Sequence, residues 1–173
     1  VVLAGDPRGE RVEVGEEAQV AAAAEGQVAP EERRGGDRKL DQLPPVALAE
    51  HVSGSESAFA DLMNQYAKEL GMGSTSYRNA TGLPDPEHYT TATDILKLAN
   101  AIIREFPDYY RWYSEKEFTW NGITQQNRNG LLSRDPSVDG IKTGHTETAG
   151  YCLLTSAQRS GTRLVSVVFG AQS

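Results

Sequence analysis

The chain has 173 residues, about the length of one domain, which is enough for one sizeable hydrophobic core. Its formal net charge of −7 argues against a nucleic-acid-binding surface, which normally carries a basic stripe. No run of residues reaches the ~18 apolar positions of a membrane-spanning helix, and the first residues do not resemble a signal peptide. We therefore expect neither a signal nor a membrane anchor within this chain. The single cysteine, Cys152, excludes an intramolecular disulfide.

The composition of the chain changes near the pair Pro44-Pro45. Residues 1–52 contain no Phe, Tyr, Trp or Ile, and they are rich in Gly, Glu and Arg. Such a segment buries too little apolar surface to offset the entropy that is lost on ordering. The two prolines also interrupt any helix that reaches them. We therefore predict a poorly ordered segment over residues 1–45 and a folded domain over residues 46–173.

Three helices are predicted between residues 46 and 106. Their apolar residues recur three and four positions apart, so that each helix has one face for a core. Two glycines end the second helix, and a proline closes the third. The expected starts and caps are, in chain order, Val46, then Ser55 or Ser57, then Thr93 or Asp94.

The C-terminal third of the chain is rich in Val, Thr and aromatic residues, which is typical of strands. The last two predicted strands are joined by a short turn at Ser160-Gly161 and should form an antiparallel hairpin. Helices followed by an antiparallel sheet indicate an α/β fold of the α+β kind, with the helices packed on the sheet. The expected strands cover residues 117–120, 140–144, 151–157 and 163–170.

The strongest sign of chemistry is the triplet Lys142-Thr143-Gly144 on the strand that precedes the hairpin. The ammonium of Lys142 and the hydroxyl of Thr143 can bind a substrate carboxylate. Gly144 has no Cβ, so a peptide backbone can lie along the strand edge, and the N–H of His145 can donate into an oxyanion hole. The alternative is an ordinary surface lysine in a hairpin.

Longer strings accompany the triplet in a fixed order along the chain. They are Asn79-Ala-Thr-Gly-Leu-Pro, Tyr113-Ser-Glu-Lys-Glu-Phe-Thr-Trp-Asn-Gly-Ile, Gln126-Asn-Arg-Asn-Gly-Leu-Leu and Val138-Asp-Gly-Ile-Lys-Thr-Gly-His-Thr. With them, the chain from Val46 to Gly170 resembles the C-terminal part of the catalytic domain of serine-type D-alanyl-D-alanine carboxypeptidases, the low-molecular-weight penicillin-binding proteins. In such enzymes the Lys-Thr-Gly triplet accompanies a Ser-x-x-Lys nucleophile motif and a Ser-x-Asn element.

The resemblance implies a partial β-lactamase/transpeptidase-like fold. It also implies removal of the terminal D-alanine from peptidoglycan pentapeptides through a serine acyl-enzyme, which penicillins and other β-lactams form as well. Lys142 and Thr143 would bind the terminal carboxylate, Gly144 would allow close approach, and the backbone N–H of His145 would be one oxyanion donor. The family acts in the periplasm or cell envelope. It needs no metal or organic cofactor, because the reaction is acyl transfer to a side chain.

The chain departs from the family at the nucleophile. No serine is followed by Lys three residues later or by Asn two residues later. Alignment of the first helix on the family would put the second motif's Ser and Asn at Leu40 and Gln42, which have neither chemistry. We therefore expect no catalytic residue and no activity in this chain alone. The alternatives are a truncated or frameshifted remnant without catalysis, and a β-lactamase-like hydrolase.

Other residues with possible chemistry have simpler interpretations. Tyr77-Arg-Asn79 imitates a Tyr-x-Asn motif, but its place in a turn-rich string indicates a structural role. His51 and His88 have no second ligand at metal-binding spacing, so we expect surface or partly buried histidines. Cys152 on a core strand is expected to be a buried, inert thiol. Packing beneath the sheet is favoured over a sugar-stacking patch for the aromatic residues Tyr109, Tyr110, Trp112 and Tyr113.

Overall fold

The computed structural model describes residues 2–3 and 43–172 and has the mixed α/β architecture that the sequence predicts. Its helical elements are α1 (Leu43–Ser53), α2 (Glu56–Glu69), α3 (Ala92–Glu105), α4 (Pro107–Tyr110), a 3₁₀ turn (Arg111–Ser114) and α5 (Leu131–Arg134). Its strands are β1 (Val2–Leu3), β2 (Glu117–Trp120), β3 (Ile123–Gln126), β4 (Val138–Thr146), β5 (Gly150–Arg159) and β6 (Thr162–Ala171).

The predicted domain boundary at residue 45 falls close to the start of the described chain. Residues 4–42 lie outside the described part, so the poor order expected for residues 1–45 stays a prediction. Among the helices of the described ranges, none combines the length and the apolar character that a membrane crossing requires.

α1 begins three residues earlier than predicted, because its two prolines lie in the first turn. Pro44 and Pro45 are the second and third residues of the helix Leu43–Ser53. The first four N–H groups of a helix have no intrahelical partner, so a residue without an N–H loses no hydrogen bond there. The prediction that this pair interrupts a helix is therefore wrong at this position.

α2 and the loop after it are joined by side-chain hydrogen bonds. Ser55 caps α2, and its hydroxyl accepts the N–H of Ala58 at 3.1 Å, as the sequence predicts. Further along the helix, the amide of Asn64 pairs with the backbone of Tyr77. Its Nδ2 donates to the Tyr77 carbonyl and its Oδ1 accepts the Tyr77 N–H, both at 2.8 Å. The long irregular segment after α2 is thereby held against the helix.

α3 starts at a different cap from the one predicted. The hydroxyl of Thr91 accepts the N–H of Asp94 at 3.2 Å, and the helix runs from Ala92. The predicted caps, Thr93 and Asp94, already lie in its first turn. At the other end, Pro107 follows the helix as expected and opens α4, because its fixed φ suits a first helical residue.

The main sheet has the strand order β1-β6-β5-β4. β4, β5 and β6 form an antiparallel meander in which each strand pairs with its neighbour in the chain. The predicted hairpin is confirmed, and its turn is built on Ser160 and Gly161, which have φ values of 48° and 78°. This order puts β4, with Lys142, at one edge of the sheet, as the sequence leads us to expect.

A separate two-stranded sheet, β2–β3, precedes the main sheet in the chain. The strand β2 was predicted from the sequence, and β3 was not. Its signal is the dipeptide Asn121-Gly122, whose φ values of 48° and 76° are those of a two-residue hairpin turn. α5 is likewise a short element that the sequence analysis does not predict.

The hydrophobic core lies between α3, the aromatic turn after it and the sheet. Its buried centre consists of Ala99, Tyr110, Ile141 and Val165. Partly buried apolar side chains surround it, among them Leu96, Ile102, Ile103, Tyr113 and Leu154. Because Ile141 immediately precedes Lys142, the core fixes the backbone next to the charged triplet.

Asp94 is a buried carboxylate that ties the start of α3 to the segment after α2. It accepts hydrogen bonds from the Ser74 N–H at 2.8 Å, the Thr75 hydroxyl at 2.9 Å and the Lys97 ammonium at 2.9 Å. Lys97 also donates to the Gly71 carbonyl. The bond from Lys97, supported by Ser74 and Thr75, lowers the pKa of Asp94 below its ordinary value of 3.8, although burial opposes this shift.

The depressed pKa of Asp94 predicts an acid-sensitive fold. The stability that Asp94 contributes is fully present above its ordinary pKa of 3.8 and is lost as pH falls through the lower pKa of the folded state. Asp94→Asn should lower the urea midpoint at about pH 7 and flatten the decline toward about pH 3. Urea unfolding at both pH values measures this, with Asp61→Asn, an exposed carboxylate on α2, as the control. Equal acid decline in wild type and Asp94→Asn would contradict it.

Candidate functional site

β4 presents the Lys-Thr-Gly triplet along an edge of the main sheet. It pairs with β5 in the register Lys142↔Leu154, Thr143↔Leu153, Gly144↔Cys152 and His145↔Tyr151. Among the residues that the structure describes, no strand pairs with its other edge. The outer backbone groups of β4 can therefore accept an extended peptide, in the way that sheet edges take up an added strand.

The triplet differs in exposure from one residue to the next. Lys142 and Gly144 are exposed, Thr143 is half-buried, and His145 is exposed. The Lys142 ammonium donates to the carbonyl of Thr143 at 2.8 Å, so it lies beside the strand backbone. The positive charge of this exposed residue therefore lies at the strand edge.

Next to Gly144, the rings of His145 and Tyr151 form a contact that the sequence does not predict. The rings of His145 and Tyr151 face each other across β4 and β5 with their centroids 4.2 Å apart. Tyr151 is 48% exposed, so the pair lies on the surface of the β4–β5 hairpin rather than in the core. Only the register of the hairpin brings these two residues together, and the sequence pattern alone does not fix that register.

The turn between β4 and β5 is closed by its own residues. The Thr146 hydroxyl accepts the N–H of Ala149 at 3.0 Å, and Gly150 begins β5 with φ 66°. A Cβ on Gly150 would lie 3.1 Å from the Ala171 carbonyl oxygen, so the position needs glycine for both conformation and space. The turn therefore sets how far the triplet-bearing strand extends.

Cys152 is half-buried, so the expectation of a buried thiol is wrong. It pairs with Gly144, and its Sγ lies 3.7 Å from the carbonyl oxygen of Ala149. A partner without a side chain leaves the thiol partly uncovered. The pairing also bears on Gly144, where an added Cβ would meet the Cβ of Cys152 at 3.9 Å, an ordinary contact distance.

His51 and His88 differ in their surroundings. His51 is exposed on α1, and His88 is partly buried in the loop before α3, as the sequence predicts. The Nδ1 of His88 accepts the N–H of Arg78 at 3.3 Å, and burial lowers its pKa despite the nearby Asp85. Within residues 43–172, no group of three His, Cys, Asp or Glu side chains is arranged to hold a metal ion.

The string at Tyr77-Arg-Asn79 has the structural role that its position suggests. Asn79 braces the turn that follows, because its Oδ1 accepts the N–H groups of Gly82 at 2.8 Å and Leu83 at 3.1 Å. Its Nδ2 donates to the Leu83 carbonyl at 3.1 Å. Both polar atoms of the Asn79 side chain therefore form hydrogen bonds within the loop.

The aromatic cluster divides into two pairs. Tyr110 is buried and Tyr113 is partly buried in the core, which agrees with the predicted packing beneath the sheet. Tyr109 and Trp112 are instead 40% and 44% exposed, in an edge-to-face pair with centroids 5.3 Å apart. The prediction is therefore confirmed for one pair and wrong for the other, since a helical turn cannot direct four neighbouring rings to one side.

Comparison with known proteins assigns this fold to a class. The chain superposes on penicillin-binding protein 5 from Haemophilus influenzae with a TM-score of 0.72 and 47% sequence identity, over 75% of this chain and 38% of that one. The fold is thus that of the low-molecular-weight penicillin-binding proteins. The family profile of D-alanyl-D-alanine carboxypeptidases, peptidase S11, matches residues 44–173, and the chain belongs to this family.

Two curated relatives carry the same name. The chain is 47% identical over 129 residues to D-alanyl-D-alanine carboxypeptidase DacD from Escherichia coli, covering 74% of this chain and 33% of the relative. It is 49% identical over 127 residues to DacA from Haemophilus influenzae, covering 72% and 32%. The chain thus spans about a third of the length of these relatives.

The surroundings of the two glycines predict opposite results for alanine substitution. Gly144→Ala should change the free energy of unfolding by less than about 0.5 kcal/mol, because the new Cβ meets only an ordinary contact. Gly150→Ala should destabilise by about 1–2 kcal/mol through its left-handed backbone, with crowding by Ala171 in addition. Urea unfolding of both variants tests this. Similar losses for the two would show that Gly144 is required by the fold itself.

Proposed function

We propose that residues 44–173 form the carboxylate-binding side of a serine-type D-Ala-D-Ala carboxypeptidase. The observation that carries the proposal is the exposed residue Lys142 on a strand edge with which no other described strand pairs, within a segment that belongs to this family. A carboxylate docked there would place the peptide that bears it along β4. Peptidoglycan peptides that end in D-Ala-D-Ala have such a carboxylate.

Each residue of the edge has a role in this proposal. Lys142 attracts the terminal carboxylate, and Thr143 donates a hydroxyl hydrogen bond to it. Gly144 lets the peptide approach the backbone, and the N–H of His145 donates to the scissile carbonyl oxygen as it becomes an oxyanion. The pairing of β4 with β5 holds these groups in place before the substrate arrives, which is what electrostatic stabilisation of a transition state requires.

The chemistry of the proposed enzyme is acyl transfer. A serine oxygen bonds to the carbonyl carbon of the penultimate D-alanine while the peptide bond to the terminal D-alanine breaks. The serine proton passes through a basic group to the departing amine, and water then hydrolyses the acyl-enzyme ester. A β-lactam reacts in the same way through its ring amide, and its carboxylate would occupy the place of the terminal one.

The 173 residues of this chain supply the binding side of that reaction and no nucleophile motif. Ser-x-x-Lys and Ser-x-Asn are both missing from the sequence. In the proposal, this chain alone binds and does not turn over, because ground-state binding without attack accelerates nothing. The whole enzyme would work in the cell envelope, outside the cytoplasmic membrane, where peptidoglycan is found.

The binding role predicts that Lys142 dominates the affinity for a D-Ala-D-Ala carboxylate. Lys142→Ala should weaken binding of an acetylated tripeptide ending in D-Ala-D-Ala about tenfold, because a charge-assisted hydrogen bond is lost. Lys116→Ala, an exposed lysine before β2, should leave binding unchanged. Peptide titration followed by amide chemical shifts measures both, and added salt should weaken wild-type binding. Equal binding by wild type and Lys142→Ala would refute the assignment.

The missing motif predicts that the chain forms no covalent adduct with penicillin. Loss of a catalytic-triad nucleophile lowers turnover about a millionfold in a serine protease, so acylation here should be undetectable. The test incubates the folded chain with a fluorescent penicillin, denatures it and looks for a labelled band. A band that unlabelled penicillin competes away would mean that another serine acts as nucleophile.

A further inference from the structure

The backbone carbonyl of Gly140, just before the triplet, accepts two side-chain hydrogen bonds. The carbonyl of Gly140 accepts from the Asn129 Nδ2 at 3.1 Å and from the Thr155 hydroxyl at 2.9 Å. Both donors come from other elements, since Asn129 precedes α5 and Thr155 lies in the middle of β5. One carbonyl is thus held from two directions.

The neighbouring carboxylate is held in the same manner. Asp139 accepts from the Tyr110 hydroxyl at 3.1 Å, and its two oxygens lie 2.9 Å and 2.8 Å from the Nη1 of Arg163. Arg163 also donates to the buried Ser156 and lies over the Tyr110 ring, 5.4 Å from its centroid. Burial is the main cause that raises the pKa of Tyr110 above its ordinary value, so the phenol remains a donor.

Hydrogen bonds within its own loop hold Asn129 in position to bond to the Gly140 carbonyl. It is 4% exposed, its N–H donates to the Asn127 Oδ1 at 2.9 Å, and its Oδ1 accepts the N–H of Leu131 at 3.3 Å. The side-chain amide therefore has little freedom to turn away from Gly140. A buried amide that lost this partner would remain with an unsatisfied donor, which is costly.

The pairing of β4 with β5 is irregular at this same point. Its register shifts between Val138 and Gly140, and the regular ladder begins only at Gly140. In a strand, a slip by one residue moves every following side chain to the opposite face. The position of Gly140 thus decides on which side of β4 the side chain of Lys142, two residues later, emerges.

We propose that Asn129 and Thr155 are positioning residues for the carboxylate-binding strand. Together with Asp139 and its two partners, they form what we call the β4 anchor, which fixes Gly140 and so sets the placement of Lys142 to His145. This inference rests on the proposed function, because it names what orients the binding groups of that site. None of the anchor side chains needs to touch the substrate.

Substitution of Thr155 tests the anchor with little disturbance of the packing. Thr155→Val removes the hydroxyl and keeps the shape, Thr155→Ser keeps the hydroxyl, and Asn64→Ala removes two comparable backbone contacts near Tyr77. Thr155→Val should shift the amide resonances of residues 141–145 and speed their hydrogen exchange about five- to tenfold relative to residues 164–167 of β6. Thr155→Ser should restore wild-type values, and Asn64→Ala should leave this ratio unchanged.

These measurements distinguish loss of the β4 anchor from a general loss of stability and from failure of the proposed function. Unchanged amides at residues 141–145 in Thr155→Val, with a melting temperature lowered as in Asn64→Ala, would overturn the inference. Tripeptide binding adds a second readout, in which Thr155→Val should weaken affinity several-fold at equal fraction folded. If Lys142→Ala weakens binding and Thr155→Val does not, the anchor is refuted alone. If the wild type binds no tripeptide, the proposed function fails, and the amide measurements still decide on the anchor.

Discussion

The pairing of β4 along one edge only is the constraint on which the site depends. Hydrogen bonds to β5 hold the strand on one side, and the described chain leaves the other side without a strand. An unpaired edge is usually a hazard, since it invites pairing with other chains. Here the lysine on that edge discourages such pairing and also gives the edge a chemical preference for anions. In the proposed function, this exposed backbone is the surface that binds the peptide.

The edge strand needs rigid support because no strand among the described residues pairs with its outer side. The core supplies part of this support through Ile141, which packs with Ala99, Tyr110 and Val165. Tyr110 contributes both apolar and polar support, since its ring is buried in the core and its hydroxyl donates to Asp139. The apolar and polar contacts therefore converge on the same two or three residues of β4, immediately before the charged triplet.

Much of this arrangement could be predicted because it follows from local pattern. The short turn at Ser160-Gly161 and the Val-rich run 163–170 after it predict the hairpin, and the triplet Lys142-Thr143-Gly144 lies on the strand predicted before it. The cap of α3 was misplaced because Thr91, Thr93 and Asp94 are all good caps, and only packing chooses among them. Pro44 and Pro45 were misjudged because a proline pair starts a helix as readily as it stops one.

The contacts that could not be predicted are those between residues distant in sequence. Nothing local marks Asn129 as the partner of a carbonyl eleven residues later, and nothing marks Arg163 as the partner of Asp139. The ring pair of His145 and Tyr151 depends on the register, which side-chain pattern alone leaves open. The half-buried state of Cys152 follows from its pairing with Gly144. It could not be predicted either, because this pairing also depends on the register.

The meander of β4, β5 and β6 has a consequence for how the protein folds. Each strand pairs with its immediate successor, so the loops that must close are short and the entropy cost of closing them is small. Contacts of this kind form quickly compared with pairings between distant segments. Lys142 to His145 and their partners on β5 lie within one contiguous hairpin of about two dozen residues. Within the described chain, the hairpin that carries the triplet can therefore pair before any earlier strand is in place.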